Sequence, residues 1–543
     1  MLLLKLQDIS KYFGDNLLFS FKELSICEND RIGLVGLNGS GKTTLLKIIN
    51  NEIEADSGTI HHHGEISYFR QFDDFNGLAN DKILKELNVI EKTTQKSASG
   101  GEKTRLRLAE AFSKDNHLLL LDEPTSNLDL DGINLLKKKL KKYKTFILIS
   151  HDTDFLNTLC NKIIEIRDKK LYFYEGNYDA YKTQKEMAHL REIREFENYQ
   201  AEKARLQDAY LQKMDKAQSL TKKPKNVSFS EYKVRNYVAT SRSNGGSQKS
   251  MMQQAKSIMS RIDHLEVKEK PKETIPIKIN FTLTDPPGNR IIAKGEDISF
   301  SYDKNVIFKK ANFFISNKKK VAIVGGNGSG KTTLLNLIEK QYNGISIVPK
   351  AKLGILYQEF NNLKDNLTVI DNVLADSIQN QTVVRSVLAN LLFTSEDIVK
   401  PVNVLSGGEK IKLSLAKLLV SDANVLVLDE PTNYLDIFSI EALKDLLKHY
   451  EGTVIFVSHD KNFIDEIATN IFILNNKQIT MFEGNLSQYT NSINSSPKKD
   501  TAKKMLLEMR LTELNYRLYS AGDKKDELIE EEYKNILQEL SQY

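Results

Sequence analysis

Short apolar runs alternate with longer amphipathic stretches along most of this chain, and the alternation occurs twice. The runs are rich in leucine and β-branched residues, and they span 32–35, 118–121 and 146–149 in the N-terminal part and 321–324, 425–428 and 454–457 in the C-terminal part. Continuous apolar runs of this length between helical stretches are typical of parallel strands buried on both faces. The pattern predicts an α/β fold with two tandem domains, each a mainly parallel sheet covered by helices.

The residue order within the two parts is also repeated. GLNGSGKTTLL from Gly36 recurs as GGNGSGKTTLL from Gly325, and the strings SGGEK, LDEPT, SHD and EGN follow in the same order in both parts. Such a series indicates a tandem duplication of one domain. The stretch from Gln71 to Ser99 spans 28 positions (99 − 71), whereas Gln358 to Ser406 spans 48 (406 − 358), so we expect a reduced helical subdomain in the first copy.

A charged segment separates the two copies. One apolar stripe (Met187, Leu190, Ile193, Phe196, Leu206, Tyr210, Met214) and a second, spaced by four, three, four and three (Met251, Ala255, Ile258, Ile262, Leu265), predict two helices that pair as an antiparallel coiled coil. The first should run from about Asp179 to Lys216. Pro224 and Gly245-Gly246 should interrupt the helices and form an irregular tip.

These patterns divide the chain into four parts. We expect domain 1 at 1–180, the interdomain hairpin at 181–290 with its tip at about 217–246, domain 2 at 291–492, and a C-terminal extension at 493–543. The extension should hold two further helices, Met505 to Leu518 and Leu528 to Leu540.

Composition indicates a globular chain with locally concentrated charge. The 543 residues are 40% hydrophobic and 27% charged, with a net charge of only +5. Nine basic residues and one acidic residue lie between Lys216 and Lys256, a local charge of +8. No apolar run approaches the roughly 20 residues of a membrane span, and Met1 to Lys5 is too short for a signal peptide. Cys27 and Cys160 lack metal-type spacing and are expected to be buried thiols in a reducing, cytoplasmic location.

Two phosphate-binding loops are predicted from the pattern G-x-x-x-x-G-K-T, which follows a strand and precedes a helix in both copies. Backbone N–H groups of such loops face phosphates, the lysine neutralises them, and the first threonine binds Mg²⁺. The predicted ATP-binding residues are Gly36, Asn38, Gly39, Ser40, Gly41, Lys42, Thr43 and Thr44, and Gly325, Asn327, Gly328, Ser329, Gly330, Lys331, Thr332 and Thr333.

An acidic pair follows the next apolar run in each copy. Asp122 and Asp429 close strands, as a Mg²⁺-holding carboxylate should, and Glu123 and Glu430 follow as candidate bases for an attacking water. His151 and His459 follow the third run, where an imidazole could reach the terminal phosphate.

The order of phosphate loop, glutamine, SGGE, DEP and histidine resembles that of the ABC ATPases over both copies. The resemblance implies that the two domains meet head to tail, so that each ATP lies between the phosphate loop of one domain and the SGGE of the other. It adds Gln71 and Gln358 as Mg²⁺ ligands and Phe13 and Tyr302 as adenine-stacking rings, and it assigns nucleotide contacts to Ser99, Gly100 and Gly101 and to Ser406, Gly407 and Gly408.

The hairpin tip has the composition of an RNA-contacting surface, in which cations bind phosphates and rings stack on bases. The candidate residues are Lys222, Lys223, Lys225, Phe229, Tyr232, Lys233, Arg235, Tyr237 and Arg242. The alternative is a solvated spacer, although a flexible spacer would be rich in glycine and serine throughout.

Two ABC domains with a helical segment between them resemble the ABC-F family, and KKPKN at Lys222 and RIDHLEVKEK at Arg261 resemble its Vga-type antibiotic-resistance branch. The resemblance implies a cytoplasmic, monomeric ATPase that binds the bacterial ribosome at the tRNA exit site, contacts rRNA and P-site tRNA, and displaces lincosamides, streptogramin A and pleuromutilins. A housekeeping translation factor without drug protection and the ATPase subunit of a membrane transporter remain the alternatives.

Overall fold

The computed structural model describes residues 1–70, 79–89, 100–114, 117–219, 243–270, 287–303, 305–356, 362–494 and 527–540, together with Leu507, Arg510, Leu511 and Leu514. Contacts divide the chain into two units. The first comprises Met1–Leu159, Glu165–Leu171 and Ile277–Tyr543, and the second comprises Cys160–Ile164 and Tyr172–Pro276.

The repeated elements appear in the same order in both copies. The strands of the first copy are β1 Leu2–Phe13, β2 Asn16–Cys27, β3 Arg31–Gly36, β4 Ser57–His62, β5 Ile66–Phe69, β6 Leu118–Asp122, β7 Phe146–Ile149, β8 Lys162–Arg167 and β9 Lys170–Glu175. The strands of the second copy are β10 Ile291–Tyr302, β11 Asn305–Ser316, β12 Lys320–Val324, β13 Ile345–Ile347, β14 Leu353–Leu356, β15 Val425–Asp429, β16 Thr453–Val457, β17 Asn470–Asn475 and β18 Gln478–Glu483.

Helices connect these strands and cover the sheets. The helices before the second copy are α1 Lys42–Ile49, α2 Asp81–Glu86, α3 Gly100–Ser113, α4 Leu130–Leu140, α5 Thr153–Leu159, α6 Tyr178–Ser219 and α7 Ser243–Asp263. Those that follow are α8 Lys331–Glu339, α9 Val369–Leu374, α10 Gln381–Asn390, α11 Gly407–Val420, α12 Ile437–His449, α13 Lys461–Ile467, α14 Leu486–Asn494 and α15 Glu527–Leu540.

Each copy contains a parallel sheet at its core. In the first copy β5, β6, β7 and β3 are neighbours in that order, and in the second copy β14, β15, β16, β12 and β17 are parallel neighbours, with β18 antiparallel at the edge. All six predicted apolar runs fall within these strands and are buried, which confirms the predicted fold class. Because the strands are parallel, the motif that follows each strand lies at the same edge of its sheet.

The helical subdomain differs between the copies. Between β14 and α11 the described residues form α9, α10 and two single 3₁₀ turns, Asp397–Val399 and Val402–Val404. Between β5 and α3 the described residues 79–89 form the six-residue α2. The described part of the first copy is therefore smaller, as the spacing predicts.

The second unit contains the helical hairpin. Lys213 at the far end of α6 donates to Gln254 Oε1 at 2.8 Å, and Glu195 nearer its start pairs with Lys268 beyond α7 at 3.6 Å, so the helices run antiparallel. The 42 residues of α6 correspond to about 60 Å at 1.5 Å per residue. The predicted seam of α7 is confirmed, because its five members are the buried or half-buried positions between Met251 and Leu265.

Two sequence expectations are wrong. Gly245-Gly246 do not interrupt the hairpin, because α7 already begins at Ser243. They lie in its first turn, where N–H groups lack helical partners in any case and glycine is tolerated. Cys27 is exposed, whereas Cys160 is buried as expected. The alternation along β2 turns Cys27 to the outer face, next to buried Ile26.

The C-terminal extension is described in part. Leu514 and Ile536 are buried, and Arg510 Nε donates to Glu532 Oε1 at 2.9 Å. Throughout the described part of the chain, no helix combines the length and the apolar character that a membrane crossing needs.

Candidate functional site

The first phosphate loop connects β3 to α1. Gly39 and Gly41 have left-handed φ values of 77° and 98°, and a Cβ at Gly41 would collide with the side chains of Leu18 and Phe19. Glycine is therefore required at that turn. The ammonium of Lys42 donates to Gly36 O at 2.8 Å and to the next carbonyl at 3.0 Å, which fixes it inside the loop.

The second loop, between β12 and α8, repeats this geometry. Gly330 has φ 100°, and Lys331 Nζ donates to Gly325 O at 2.9 Å and to Gly326 O at 3.1 Å. The Oγ atoms of Ser40 and Ser329 are buried and lack hydrogen-bond partners among the described residues. An unpaired buried hydroxyl is costly, and phosphate oxygens at these loops would satisfy both, so the residues fit a nucleotide.

The acidic pairs lie beside the loops at the ends of β6 and β15. The Thr43 hydroxyl is hydrogen-bonded to the Asp122 carboxylate, and Thr332 makes the same contact with Asp429. Burial raises the pKa of both aspartates. Among the described residues, no three His, Cys, Asp or Glu side chains cluster as a self-sufficient metal site. One hydroxyl and one carboxylate per site suit Mg²⁺, which normally takes its other ligands from phosphates and water.

The glutamates that follow are held in an unfavourable backbone conformation. Glu123 and Glu430 have φ values of 50° and 49°, a region that costs non-glycine residues about 1–3 kcal/mol. Burial and the adjacent Asp429 raise the pKa of Glu430 to about 7, and burial and Asp122 likewise raise that of Glu123. The surrounding fold therefore stabilises two strained, proton-binding carboxyl groups in equivalent positions.

An imidazole lies against each glutamate. His151 Nε2 is 3.1 Å from Glu123 Oε1, and His459 Nε2 is 3.3 Å from Glu430 Oε1. Neither Oε1 atom has a hydrogen bond of good geometry, although both are buried. Desolvation and the neighbouring lysine lower the pKa of both histidines, so both are neutral at physiological pH. Each glutamate thus retains one buried carboxylate oxygen without a hydrogen bond among the described residues.

Each phosphate loop contacts the loop after LDEPT of the opposite domain. Asn38 N–H donates to Asp436 Oδ2 at 3.0 Å, and its amide donates to Tyr434 O at 2.8 Å. In the symmetric position, Asn327 N–H donates to Asp129 Oδ2 at 3.2 Å and its amide to Asn127 O at 3.2 Å. The two domains therefore meet head to tail through matched hydrogen bonds.

The SGGE segments lie at the same junctions. A Cβ on Gly408 would lie 2.9 Å from Asn38 Nδ2 of the other domain, and one on Gly101 would collide with Asn327. One cavity of 1440 Å³ connects the two junctions. It exceeds the roughly 300–1,000 Å³ of a typical single-ligand pocket, which is consistent with two sites joined across the interface.

The two sites differ in the side chains that contact their aspartates, first at Asp129 and Asp436, which end the SNLD and NYLD loops. Arg105 Nη2 lies 2.8 Å from Asp129 Oδ1, so this carboxylate has a cation partner. At the position of Arg105 the second copy has Lys412, whose ammonium lies 5.0 Å from the centre of the Phe393 ring. A second difference lies at the acidic pair. The Tyr68 hydroxyl is 3.4 Å from Asp122 Oδ2, whereas the matching residue of the second copy is Ile355.

Two further carboxylates approach each other across the domain interface. Asp152 and Asp460 follow the two histidines and cap α5 and α13 by accepting N–H bonds at 3.0 Å. Burial and the charge of Asp152 raise the pKa of Asp460 to about 7. Asn462 and Thr153 form a hydrogen bond close by, again between domains.

Most of the predicted nucleotide residues line the cavity. Those that do are Phe13, Asn38, Gly39, Gly41, Lys42, Thr43, Thr44, Gly100, Gly101, Asp122, Glu123, His151, Tyr302, Asn327, Gly328, Gly330, Lys331, Thr332, Thr333, Ser406, Gly407, Gly408, Asp429, Glu430 and His459. Gly36, Ser40, Gly325 and Ser329 do not line it. Phe13 and Tyr302 are more than half exposed there, as rings available for stacking would be.

Other predicted residues lie outside the described part of the chain: Ser99, Gln71 and Gln358 and all nine tip residues, from Lys222 to Arg242. Sequence reasoning also missed Asp129, Asp436, Asp152 and Asp460. The strings SNLD and NYLD after DEPT, and the D of both SHD strings, were the available signals.

Comparisons with known proteins agree with this geometry. A family profile described as "ABC transporter" matches residues 22–126 and 308–433, and a second profile with that description matches 164–229. Ribosome-bound archaeal Pelota and ABCE1 has a similar fold, with a TM-score of 0.59, 17% identity, and coverage of 90% of this chain and 80% of that chain.

Curated relatives align over nearly the whole chain. The erythromycin resistance ATP-binding protein MsrA of Staphylococcus epidermidis is 34% identical over 88% of this chain and 98% of its own length. The ribosome protection protein VmlR of Bacillus subtilis is 32% identical over 87% of both chains. A probable ATP-binding cassette sub-family F member 3 homolog of Encephalitozoon cuniculi is 30% identical over 86% of this chain and 79% of its own. With two ABC ATP-binding domains in tandem and these relatives, the chain belongs to the ABC-F family.

Proposed function

We propose that this chain is an ATP hydrolase whose two ABC domains close on two ATP molecules, and that the closed form binds and protects the bacterial ribosome. One observation carries the first part: each phosphate loop lies against its own acidic pair and against the opposite domain's SNLD or NYLD loop. ATP binding therefore becomes linked to contact between the domains.

Some site residues bind the phosphates and Mg²⁺, and others orient the attacking water. Lys42 and Lys331 neutralise phosphate charge, and the N–H groups that open α11 and α3 form an anion site for the terminal phosphate from across the interface. Thr43, Gln71 and Asp122, and Thr332, Gln358 and Asp429, would hold Mg²⁺. When bound, Mg²⁺ supplies charge neutralisation on the phosphate oxygens.

Glu123 and Glu430 act as the catalytic bases. Their raised pKa values match a general base that works near neutral pH. Both glutamates line the cavity and each has one carboxylate oxygen without a hydrogen bond among the described residues, so the carboxylate can orient a water and take its proton. His151 and His459 are neutral and lie against the glutamates, and the single N–H of each ring can donate either to the glutamate or to a phosphate oxygen.

The ribosomal part of the proposal is supported by the relatives' names and by the interdomain hairpin. VmlR is named a ribosome protection protein and MsrA an erythromycin resistance protein. The hairpin would carry the basic, aromatic tip from Lys222 to Arg242 towards rRNA and P-site tRNA at the tRNA exit site. The drugs opposed are those of the peptidyl-transferase centre: lincosamides, streptogramin A and pleuromutilins.

A hydrolysis-deficient variant tests the ribosome cycle. Glu123→Gln with Glu430→Gln should bind ATP, remain closed and co-sediment with ribosomes, whereas the same variant with ADP should not. Wild-type protein should be released as ATP is consumed. If the double variant stays in the supernatant with ATP while it still binds nucleotide, the chain is not a ribosome-binding ATPase. Recovery with membranes instead would favour a transporter subunit.

Drug protection has a separate test. In vitro translation is challenged with lincomycin, a streptogramin A, a pleuromutilin and erythromycin, with and without the protein. Phe229→Ala should abolish protection while ATP binding is retained. Ribosome binding without protection from any of the four drugs would indicate a housekeeping translation factor.

A further inference from the structure

Helix α4 of the first domain ends in an unusual run of lysines. Six of the eight residues 137–144 are lysine and none is acidic. Lys138, Lys141, Lys142 and Lys144 are exposed, and these four residues are named the lysine face. Lys138, Lys141 and Lys142 are separated by three and four positions, so they share one side of the helix end.

Nearby carboxylates neutralise only part of this charge. Glu86 pairs with Lys139 and Asp154 pairs with Lys137, and neither lysine belongs to the lysine face. Glu28 lies 3.5 Å from Lys144. Among the described residues, no ion pair is found for the other three members. Lys142 of the lysine face and the exposed Lys82 of α2 both lie close enough to act on Glu86, which therefore serves three lysines, and Lys82 adds to the basic surface.

The second copy provides an internal comparison. Helices α4 and α12 are capped by Asp129 and Asp436, and Tyr143 and Tyr450 both donate to a backbone carbonyl, at 3.2 and 2.8 Å. The matched residues 444–451 read KDLLKHYE, two lysines against two acids, where residues 137–144 read KKKLKKYK. The same packing is thus achieved without the lysines.

Cations in the last turn of a helix are stabilising, but like charges three and four positions apart oppose one another. Because the second copy packs in the same way with two lysines, fold stability does not require all six. Within residues 81–89 and 130–145, no large apolar side chain is exposed. A protein interface would need an apolar centre, and a membrane-surface helix would need an apolar face. A purely cationic surface instead matches a regular polyanion.

We propose that the lysine face binds the phosphate backbone of ribosomal RNA, as a contact separate from the hairpin tip. That the bound RNA is ribosomal depends on the proposed function, whereas the contact with phosphates is argued from the lysines alone. Each neutralised phosphate contributes about 0.7–0.9 to the slope of log affinity against log salt. Four contacts therefore make binding roughly 50- to 150-fold weaker between 50 and 200 mM salt.

The first experiment measures binding to a labelled 20-base-pair RNA duplex at 50, 100 and 200 mM salt. The face variant is Lys138→Gln, Lys141→Gln, Lys142→Gln and Lys144→Gln. A control variant with the same charge change on exposed lysines of the second domain is Lys309→Gln, Lys310→Gln, Lys340→Gln and Lys461→Gln. A further variant carries residues of the second copy: Lys138→Asp, Lys142→His and Lys144→Glu.

The face variant should bind at least tenfold more weakly at 100 mM salt and lose about 3–4 units of salt slope, while the control variant binds as wild type. ATPase activity should be unchanged in all variants, and this measurement shows that each variant is folded. Equal duplex binding by face and control variants, or no binding by wild type, would overturn the proposal. The proposal would also be overturned if the substitutions weakened binding only to phosphatidylserine vesicles or only to polyglutamate, and not to the RNA duplex.

The second experiment separates the inference from the proposed function. Each set of substitutions is added to the Glu123→Gln, Glu430→Gln protein, and co-sedimentation with ribosomes is measured with ATP. If the parent does not co-sediment, the proposed function fails. If the parent and the face variant co-sediment equally across the salt series, the lysine face alone is refuted.

Discussion

Gly408 lies at the point where the two domains touch, which makes Gly408→Ala a sharp test of the closed interface. A Cβ there would be 2.6 Å from Tyr434 O and 2.9 Å from Asn38 Nδ2. These two atoms form an interdomain hydrogen bond of 2.8 Å. The added methyl group therefore displaces a backbone carbonyl and breaks that bond.

The expected cost follows from two terms. Inserting a methyl group into a packed contact costs about 1–3 kcal/mol, and the lost hydrogen bond adds about 1 kcal/mol. The sum, about 2–4 kcal/mol, corresponds to ATP-driven closure that is roughly 30- to 700-fold weaker. Asn38→Ala, which removes the side-chain bond alone, should weaken closure only about fivefold.

Closure is measured as energy transfer between fluorophores, one on each domain, during ATP titration of the Glu123→Gln, Glu430→Gln protein. Gly288→Ala is the control, since no atom lies within 4 Å of a Cβ at that position and the residue does not line the cavity. Thermal unfolding without ATP checks that the variants fold. If the Gly408→Ala protein closes as readily as wild type, or if Gly288→Ala loses closure equally, this account of the interface is refuted.

The remaining predictions concern support for the interface and the hairpin. Arg105→Met leaves the buried carboxylate of Asp129 without its cation and should weaken closure by about 1–3 kcal/mol in the same energy-transfer assay. Burial and the charge of Asp152 together raise the pKa of Asp460, and because Asp152 belongs to the other domain, closure takes up a proton. Closure should therefore weaken as pH rises towards about 7, by at most tenfold per unit, and then level off. Leu206→Ala removes a buried contact of α6 and should speed hydrogen exchange in both hairpin helices, at a cost of about 2–3 kcal/mol.

Each of these predictions has a matched control. Lys412→Met should cost less than Arg105→Met, because its ammonium lies over the Phe393 ring. Asp460→Asn should remove the difference between closure at pH 6 and pH 7; an unchanged pH profile would show that the pair does not titrate on closure. Leu211, 57% exposed on the same helix, should tolerate alanine without faster exchange.

Local chemistry fixes much of this protein before any tertiary structure is known. The buried strands β6 and β15 follow from continuous apolar runs, and the seam of α7 from its spacing of three and four, because burial leaves a direct periodic record in the chain. The local residue pattern predicts structure less well where tertiary context also acts on the same residues. Gly245-Gly246 resemble a helix break but lie in a first turn, and Cys27 belongs to an apolar run whose alternation turns it outward.

Contacts between the domains required the three-dimensional structure. The residue order alone indicates the phosphate loops and acidic pairs, but not that Asn38 reaches Tyr434, almost 400 positions away. Nor does it show that Arg105 supports an aspartate of one site only, or that Asp152 and Asp460 approach each other. The two sheets and the side chains at their edges can be predicted from the residue order, because both depend on neighbours along the chain. The packing of two folded surfaces decided which of these side chains meet, because that depends on shape and charge across residues that are remote in sequence.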